Sequence, residues 1–172
     1  MAGAPLSDGV VALRHWAESD VDEIVSCLDG DEEIGRWLDL IPQPYTRDDA
    51  LEFVRGIGKE SFAVTDAASG RLLGSIGVRW NEQRDVAEIG YWLRAGERGR
   101  GAMGRALALA TAFAFDQGAA RIQLRTAVGN DASRRVAERA GFALEGVLRA
   151  AHYSVRLGRR GDWAMYSLPD EL

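Results

Sequence analysis

The spacing of apolar residues changes along the chain, and the first part has helical spacing. A helix is predicted from Asp20 to about Leu28, because apolar positions recur every three or four residues behind acidic residues in the first turn. A short helix is predicted from Ile34 to Leu40, ending at the proline-containing segment 41–44. A third helix begins after Thr46, with Asp49 placed three residues later as a capping partner.

β-rich segments bounded by turn residues follow in the middle of the chain. Ser61–Thr65 and Leu72–Trp80 flank a turn-rich stretch at Asp66–Arg71, which is typical of a hairpin. Val86–Leu93 continues this pattern as a third strand. A short strand at Val10–Arg14 precedes the helices. These segments predict an antiparallel meander behind a helical N-terminal part.

The second half alternates helix and strand and then closes on two strands. The predicted elements are a helix at Ala102–Gln117 capped by Gly118, a strand at Arg121–Ala127, a helix at Asp131–Ala140, and strands at Phe142–Tyr153 and Asp162–Leu168. We therefore predict an α+β fold with a mixed, largely antiparallel, twisted sheet of about seven strands flanked by about four helices. The connection between the third meander strand and Arg121–Ala127 should be a parallel, right-handed crossover. A length of 172 residues suits a single domain over 1–172, with its core at 10–168.

Composition and charge mainly exclude classes of protein. A net charge of −5 argues against general nucleic-acid binding, which needs a basic surface. No stretch approaches the roughly 20 apolar residues of a membrane span, and Met1–Pro5 does not begin a signal peptide, so we expect a cytoplasmic protein without membrane contact. Cys27 lies in a helical apolar pattern and is predicted to be a buried structural thiol. His15 and His152 lack metal-ligand spacing, so we expect no metal.

Residues 98–105 have the composition of an anion-binding loop. It follows a predicted strand, opens the predicted helix at Ala102, and holds three glycines and three arginines within eight residues. Glycines let the backbone turn sharply, and free N–H groups at a helix N-terminus bind anions. The segment predicts a phosphate or pyrophosphate site made by Arg98, Gly99, Arg100, Gly101, Ala102, Met103, Gly104 and Arg105.

Several ligands suit such a loop. A nucleoside-triphosphate loop would end in Gly-Lys-Ser/Thr, which is absent. Gly99, Gly101 and Gly104 match Gly-x-Gly-x-x-Gly, but a meander precedes them and no carboxylate follows about 20 positions on. Because Arg125 is placed to contact a 2′-phosphate, an NADP-binding oxidoreductase stays an alternative. A second alternative is a structural turn that binds no ligand and whose arginines are only solvated. Coenzyme A is the third ligand that suits the loop, after a nucleoside triphosphate and a dinucleotide.

Three motifs in register resemble those of a known family. Arg98-x-x-Gly101 resembles the pyrophosphate-binding signature of the GNAT superfamily of N-acetyltransferases. The segment Asn130–Phe142 resembles its second signature, and Glu88–Leu93 resembles its fourth strand. Pro44–Thr46 and Gly161–Trp163 are similar to segments of the RimJ/RimL-like branch, the ribosomal-protein alanine N-acetyltransferases.

The resemblance covers roughly Val10 to Leu168 and implies a GNAT fold and an acyltransferase. Acetyl-CoA is the implied co-substrate, and a primary amine attacks its thioester directly. The branch implies a protein N-terminal alanine as the acceptor. A small-molecule amine acceptor, a succinyl donor and a non-catalytic CoA-binding module stay open, and so does a homodimer, because the sequence does not specify the oligomeric state.

The resemblance also implies roles for single residues. A backbone N–H at Leu93 polarises the thioester carbonyl, and Arg94 bonds the pantetheine arm through its backbone. Asn130 also bonds the pantetheine chain. Two positions depart from the family pattern. Met103 stands where Gly or Ala is frequent, and Ala137 stands where many members carry a tyrosine general acid.

Two residues are candidates for proton transfer. Ser133, near the start of a helix, is placed either to assist the leaving thiolate or as an ordinary residue near a helix cap. Glu88 is the one carboxylate within Val86–Leu93. Partial burial among apolar neighbours should raise its pKa and suit a general base. A carboxylate paired with an arginine across the sheet explains the same position equally well.

The acceptor site has weaker sequence signals. Trp37 and Tyr45 lie in a loop-rich region and are predicted to contact the acceptor. The first sixty residues are rich in carboxylates, and an acidic face attracts a cationic substrate. The acidic residues concerned include Asp29, Asp31, Glu32 and Glu33.

Overall fold

The computed structural model describes residues 6–39, 41–56 and 60–170. Within these residues the chain forms eight strands and five α-helices. The strands are β1 (Leu6–Ser7), β2 (Val11–His15), β3 (Ser61–Asp66), β4 (Leu72–Trp80), β5 (Val86–Leu93), β6 (Arg121–Ala127), β7 (Ala143–Ser154) and β8 (Arg159–Pro169). The helices are α1 (Val21–Leu28), α2 (Glu32–Trp37), α3 (Arg47–Gly56), α4 (Ala102–Asp116) and α5 (Asp131–Arg139). Single 3₁₀ turns lie at Glu18–Asp20 and Ala95–Glu97.

The strands form one mixed sheet in the order β1-β2-β3-β4-β5-β6-β8-β7. β5 and β6 pair in parallel, with Val86 opposite Arg121 and Glu88 opposite Gln123, as predicted for the crossover. The neighbours β1–β2, β2–β3, β3–β4, β6–β8 and β7–β8 are antiparallel. The predicted α+β fold is therefore confirmed. The strand that the sequence did not predict is β1, because two residues are too short to show a period.

The chain divides into two compact units. The first comprises Met1–Gly77 and Tyr91–Leu109, and the second comprises Val78–Gly90 and Ala110–Leu172. In the first unit, the apolar face of α1 packs in a core with Tyr45, Leu72 and Trp92. Burial of these apolar side chains is the main favourable contribution to the stability of this unit.

Helix starts are fixed by side chains that accept otherwise unused backbone N–H groups. The Asp31 carboxylate caps α2 by accepting the N–H groups of Glu33 and Ile34, both at 3.1 Å. This cap explains why α2 begins at Glu32, two residues earlier than predicted. The predicted C-terminal end of that helix, Leu40, lies outside the described residues. The predicted cap at Thr46 is confirmed, since Asp49 donates its N–H to the Thr46 hydroxyl at 3.2 Å.

Side chains along strand β6 alternate between a buried face and a more exposed face of the sheet in the second unit. Ile122 and Leu124 point to its buried face, and the intervening residues Gln123 and Arg125 point to the opposite face. Tyr166 of β8 is fully buried, and its hydroxyl donates to Glu138 of α5 at 2.8 Å. Gln123 and Arg125 therefore lie outside this core, on the face of β6 where polar side chains can contact one another.

The structure bears on the environment of Cys27, on metal-binding clusters and on membrane-spanning helices. Cys27 is only 5% exposed, and burial raises the pKa of its thiol, so it is the buried structural cysteine that was predicted. Across residues 6–39, 41–56 and 60–170, no cluster of three or more His, Cys, Asp or Glu side chains is placed to hold a metal ion. Among the same residues, no helix combines the length and the apolar character that crossing a membrane requires.

Candidate active site

The glycine-rich loop before α4 has the backbone of an anion site. Gly99 and Gly101 adopt φ angles of +77° and +81°, a left-handed conformation that disfavours other residues. A Cβ atom at either position would meet nothing within 4 Å, so the backbone angle rather than crowding requires glycine. The helix begins at Ala102, and the first N–H groups of a helix have no acceptor within it. N–H groups at the start of a helix are the backbone groups that bind anions such as phosphates.

The arginines of this loop are held by carboxylates. Arg98 forms an ion pair with Asp31, the residue that caps α2. Arg105 pairs with Asp8 at 2.8 Å. Arg100 differs, because its side chain is 69% exposed and its ion-pair distance is 4.0 Å. Two arginines thus anchor the loop, and Arg100 is the more accessible cation for a phosphate. The sequence did not reveal these partners, since Asp31 and Asp8 lie far from the loop along the chain.

The end of β5 differs in part from the expected arrangement. Arg94 was predicted to bond pantetheine through its backbone, but its N–H already donates to Leu73 at 2.8 Å. Its carbonyl accepts the Glu97 N–H at 3.0 Å and keeps a second lone pair. A Cβ at Gly74 would lie 2.2 Å from the Trp92 carbonyl oxygen, so glycine permits the close approach of β4 to β5. Of the Arg94 backbone, only the carbonyl has remaining capacity for pantetheine.

The predicted raised pKa of Glu88 is wrong. Its carboxylate accepts hydrogen bonds from Arg125 at 2.9 Å, from Gln123 at 3.2 Å and from Arg79. Burial by itself would raise the pKa of Glu88, but the hydrogen bond and charge of Arg125, with the charge of Arg79, lower it on balance. The alternative drawn from the sequence, a carboxylate paired with arginine across the sheet, describes this geometry. Alternation in β6 places Gln123 and Arg125 on one face, and that was the available signal for these partners.

Helix α5 begins at the second family motif. The Asn130 side-chain oxygen accepts the Ser133 N–H at 3.2 Å and caps the helix. This bond uses one lone pair of the Asn130 oxygen and none of the hydrogens of its amide N–H₂ group. The Ser133 hydroxyl takes no part in the cap bond. Ala137, where many family members carry tyrosine, is fully buried in α5 and belongs to the core.

The two aromatic residues predicted to contact the acceptor lie in different environments. Tyr45 is 6% exposed in the core of the first unit, and burial raises its pKa to about 12. Its ring therefore packs against core residues, unlike the open position expected for it. Trp37, at the end of α2, is half-buried and donates its indole N–H to Glu33 at 3.2 Å. Of the two, Trp37 retains the more accessible ring.

An open pocket of about 640 Å³ lies in the first unit beside the segment that precedes the glycine loop. Cys27, Arg71, Arg94 and Gly96 contribute to its wall. Its remaining charged residues are carboxylates, namely Asp29, Asp31, Glu32 and Glu33. Carboxylates outnumber arginines in this wall, and two of them are paired with arginines from outside it, Asp31 with Arg98 and Glu33 with Arg36. Acidic residues noted in the sequence are thus concentrated by the α1–α2 connection.

Known acetyltransferases resemble this chain in sequence and in fold. The family model described as "Acetyltransferase (GNAT) domain" matches residues 11–143. A Bacillus subtilis protein named "Putative ribosomal N-acetyltransferase YdaF" is 28% identical over 167 residues, covering 92% of this chain and 90% of that protein. A GNAT-family acetyltransferase structure from Bacillus anthracis superposes with a TM-score of 0.89 at 19% identity, covering 98% and 100% of the two chains. The structure of RimL, a ribosomal L7/L12 α-N-protein acetyltransferase, gives a TM-score of 0.76 at 26% identity, covering 96% and 92%.

The chain belongs to the GNAT family of acetyltransferases, because the family model spans most of its length. It is an N-acetyltransferase, and the similarity to YdaF and RimL confirms the RimJ/RimL-like resemblance. The NADP-binding oxidoreductase and the non-catalytic binding module are thereby set aside. The roles assigned to single residues stay predictions.

Proposed function

We propose that this chain, acting as one catalytic domain over residues 1–172, transfers the acetyl group of acetyl-CoA to a primary amine of a protein N-terminus, with alanine as the leading acceptor. The amine nitrogen attacks the thioester carbonyl carbon, the carbon–sulfur bond breaks, and the CoA thiolate leaves. The amine loses a proton to a base, and the thiolate gains one. The protein supplies binding, orientation and these two proton transfers.

The observation that carries the donor assignment is the loop at the start of α4. Gly99 and Gly101 have left-handed backbone angles of the kind found in anion-binding nests, and Arg100 adds an accessible positive charge. Ion pairs from Asp31 and Asp8 hold the loop before any ligand arrives. Such preorganisation reduces the entropy that binding a diphosphate would otherwise cost. Leu93, Arg94 and Asn130 are proposed to contact the pantetheine arm.

The acceptor assignment is supported by charge and by the relatives. The pocket wall rich in carboxylates suits an acceptor that arrives as an ammonium ion. Relatives of this chain are named as ribosomal-protein acetyltransferases, which act on protein amines. We propose that the exposed edge of Trp37 contacts the acceptor. Tyr45 keeps a supporting role, because its ring lies in the core beneath this region.

We propose that Glu88 accepts the proton of the attacking amine, directly or through water, and that Ser133 assists the leaving thiolate. An α-amine has a pKa of about 8, so part of it is already neutral at pH 7 and a weak base suffices. The arginine-paired Glu88 is such a base, because the pairing keeps it ionised and lowers its basicity. A lysine side chain, with a pKa of about 10.4, would need a stronger base.

A donor-and-acceptor panel tests the proposal. Donors are acetyl-CoA and succinyl-CoA, and acceptors are peptides that begin with alanine or serine, the same peptides with a blocked N-terminus, a lysine peptide and small polyamines. Thiol release is measured, with donor hydrolysis alone as the control. We expect turnover with acetyl-CoA and free alanine N-termini. Turnover confined to small amines, or to succinyl-CoA, would replace the acceptor or donor assignment. Calorimetry that detects no CoA binding at low salt would remove the whole proposal.

A further inference from the structure

The Trp163 ring in the second unit is packed between two other side chains. On one side the imidazole of His152, in β7, stacks on it with ring centroids 5.1 Å apart and planes 12° from parallel. On the other side the Arg125 guanidinium carbon lies 4.6 Å from the ring centroid. An arginine over a tryptophan face gains cation–π attraction and loses freedom to move. The stack therefore restricts where the Arg125 guanidinium lies.

The motif Gly161-Asp162-Trp163 builds this stack. Gly161 pairs with His152 across β7 and β8, and a Cβ at Gly161 would lie 2.7 Å from the imidazole Cε1. Glycine thus makes the room in which the imidazole lies. The Asp162 carboxylate accepts the N–H of Ala150 at 2.7 Å, where the strand pairing is irregular and Ala150 has a φ of +50°. Gly161 thus gives the imidazole room against Trp163, and Asp162 holds the backbone of β7 at Ala150.

The same arginine holds the Glu88 carboxylate. Arg125 lies within 2.7 Å of a Glu88 oxygen, and its side chain is 32% exposed. The groups that face Glu88 are Arg79 from β4 and both Gln123 and Arg125 from β6. Arg79 is 76% exposed, so solvent screens its charge. Arg125 is the partner whose position the fold fixes.

We propose that Trp163, supported by His152, is a positioning residue that holds the Arg125 guanidinium against Glu88 and so sets how readily this carboxylate accepts the proton of the acceptor amine. The catalytic part of this inference rests on the proposed role of Glu88. Removing the ring leaves Arg125 free to turn toward solvent. Glu88, still half-buried, then loses its strongest cationic neighbour, so its pKa rises.

The test follows the titration of Glu88 by carboxyl ¹³C NMR in the full chain, with the resonance assigned by Glu88→Gln. Arg125→Leu removes the cation and defines the full upward shift. Trp163→Leu should move the Glu88 midpoint upward by most of that shift, whereas Trp163→Phe, which keeps a ring face, should stay near the wild type. His152→Leu should give a smaller shift in the same direction. Thermal melting checks that each variant folds.

A Trp163→Leu variant that titrates like the wild type while Arg125→Leu is shifted would overturn the inference. If Trp163→Leu does not fold, His152→Leu carries the decision, and an unchanged Glu88 midpoint there overturns it. Turnover of the same variants separates the two proposals. A shifted Glu88 midpoint with an unchanged acid limb of the pH–rate profile removes the base role of Glu88 and leaves Trp163 as the residue that positions Arg125.

Discussion

The glycine loop before α4 and the charged layer around Glu88 both combine arginines with carboxylates, but they use them in opposite ways. In the loop, carboxylates of Asp31 and Asp8 hold two arginines in place, and the backbone N–H groups are the proposed ligand contacts. Around Glu88, arginines hold a carboxylate, and the carboxylate itself is the proposed reactive group. A site that binds its ligand through backbone N–H groups can keep its side chains in ion pairs without losing function. In a site that works by protonation, the same ion pairs change the pKa of the reactive group.

The difference implies different responses to mutation. Backbone angles at the loop are set by the residue at that position, so one substitution should abolish binding without affecting proton transfer. The protonation of Glu88 depends on three neighbours at once, so single changes should alter pH dependence in graded steps. Four variants test this contrast, beginning with the largest expected effect.

Gly101→Val should weaken acetyl-CoA binding by about a hundredfold. A β-branched residue at a φ of +81° costs on the order of 1–3 kcal/mol, and the loop would relax away from its binding shape. Isothermal calorimetry with CoA measures the loss. Gly70→Val is the matched control, because Gly70 has a φ of +74° with equally open surroundings in the β3–β4 turn. It should lower thermal stability and keep CoA affinity, and equal affinity loss in both variants would contradict the loop assignment.

Glu88→Gln should lower kcat/KM with an alanine peptide by about tenfold and leave CoA affinity unchanged. The amide cannot accept the amine proton, and the α-amine pKa near about 8 limits the loss. Glu145→Gln serves as control, since Glu145 also pairs with an arginine, Arg121, at 2.5 Å but plays no proposed part in catalysis. If both variants keep the wild-type pH–rate profile, Glu88 is structural.

Ser133→Ala should lower kcat by about fivefold. One hydrogen bond to the leaving thiolate is worth about 1 kcal/mol, and the helix cap uses the Ser133 N–H, which alanine retains. Asn130→Ala removes the cap oxygen and costs about 1 kcal/mol of stability, and it also removes a proposed contact to the pantetheine arm. Stopped-flow thiol release and thermal melting separate the two effects. Full turnover in Ser133→Ala would exclude the proton-donor role.

Asp8→Asn should give the smallest effect, a loss of less than about 1 kcal/mol that depends on pH. Hydrogen bonds from the Val11 N–H and from Arg105 lower the pKa of Asp8 to about 2, below its unfolded value of about 3.9. The folded state therefore gains stability from ionised Asp8 above pH 4 and loses it as the pH falls toward 2. Melting curves between pH 7 and pH 3 should converge for the variant and the wild type, and a constant difference would contradict the linkage.

The sequence alone predicted much of the fold and the left-handed backbone of the glycine loop before α4. The bounds of β4, β5 and β6 agree with the predicted strands, because alternation and turn residues mark them locally. The anion loop was predicted from its own glycines, since a positive φ is a property of a single residue. Family motifs, which are also local, identified the acetyltransferase class.

Tertiary structure decided the chemistry of the side chains. The lowered pKa of Glu88 follows from Arg79 and Arg125, which strand register brings beside it from 9 and 37 residues away. Tyr45 became a core residue because α1 and the strands close around it. The stack on Trp163 depends on the pairing of β7 with β8. Charges and rings act over a few ångströms of space, and only the folded chain sets those distances.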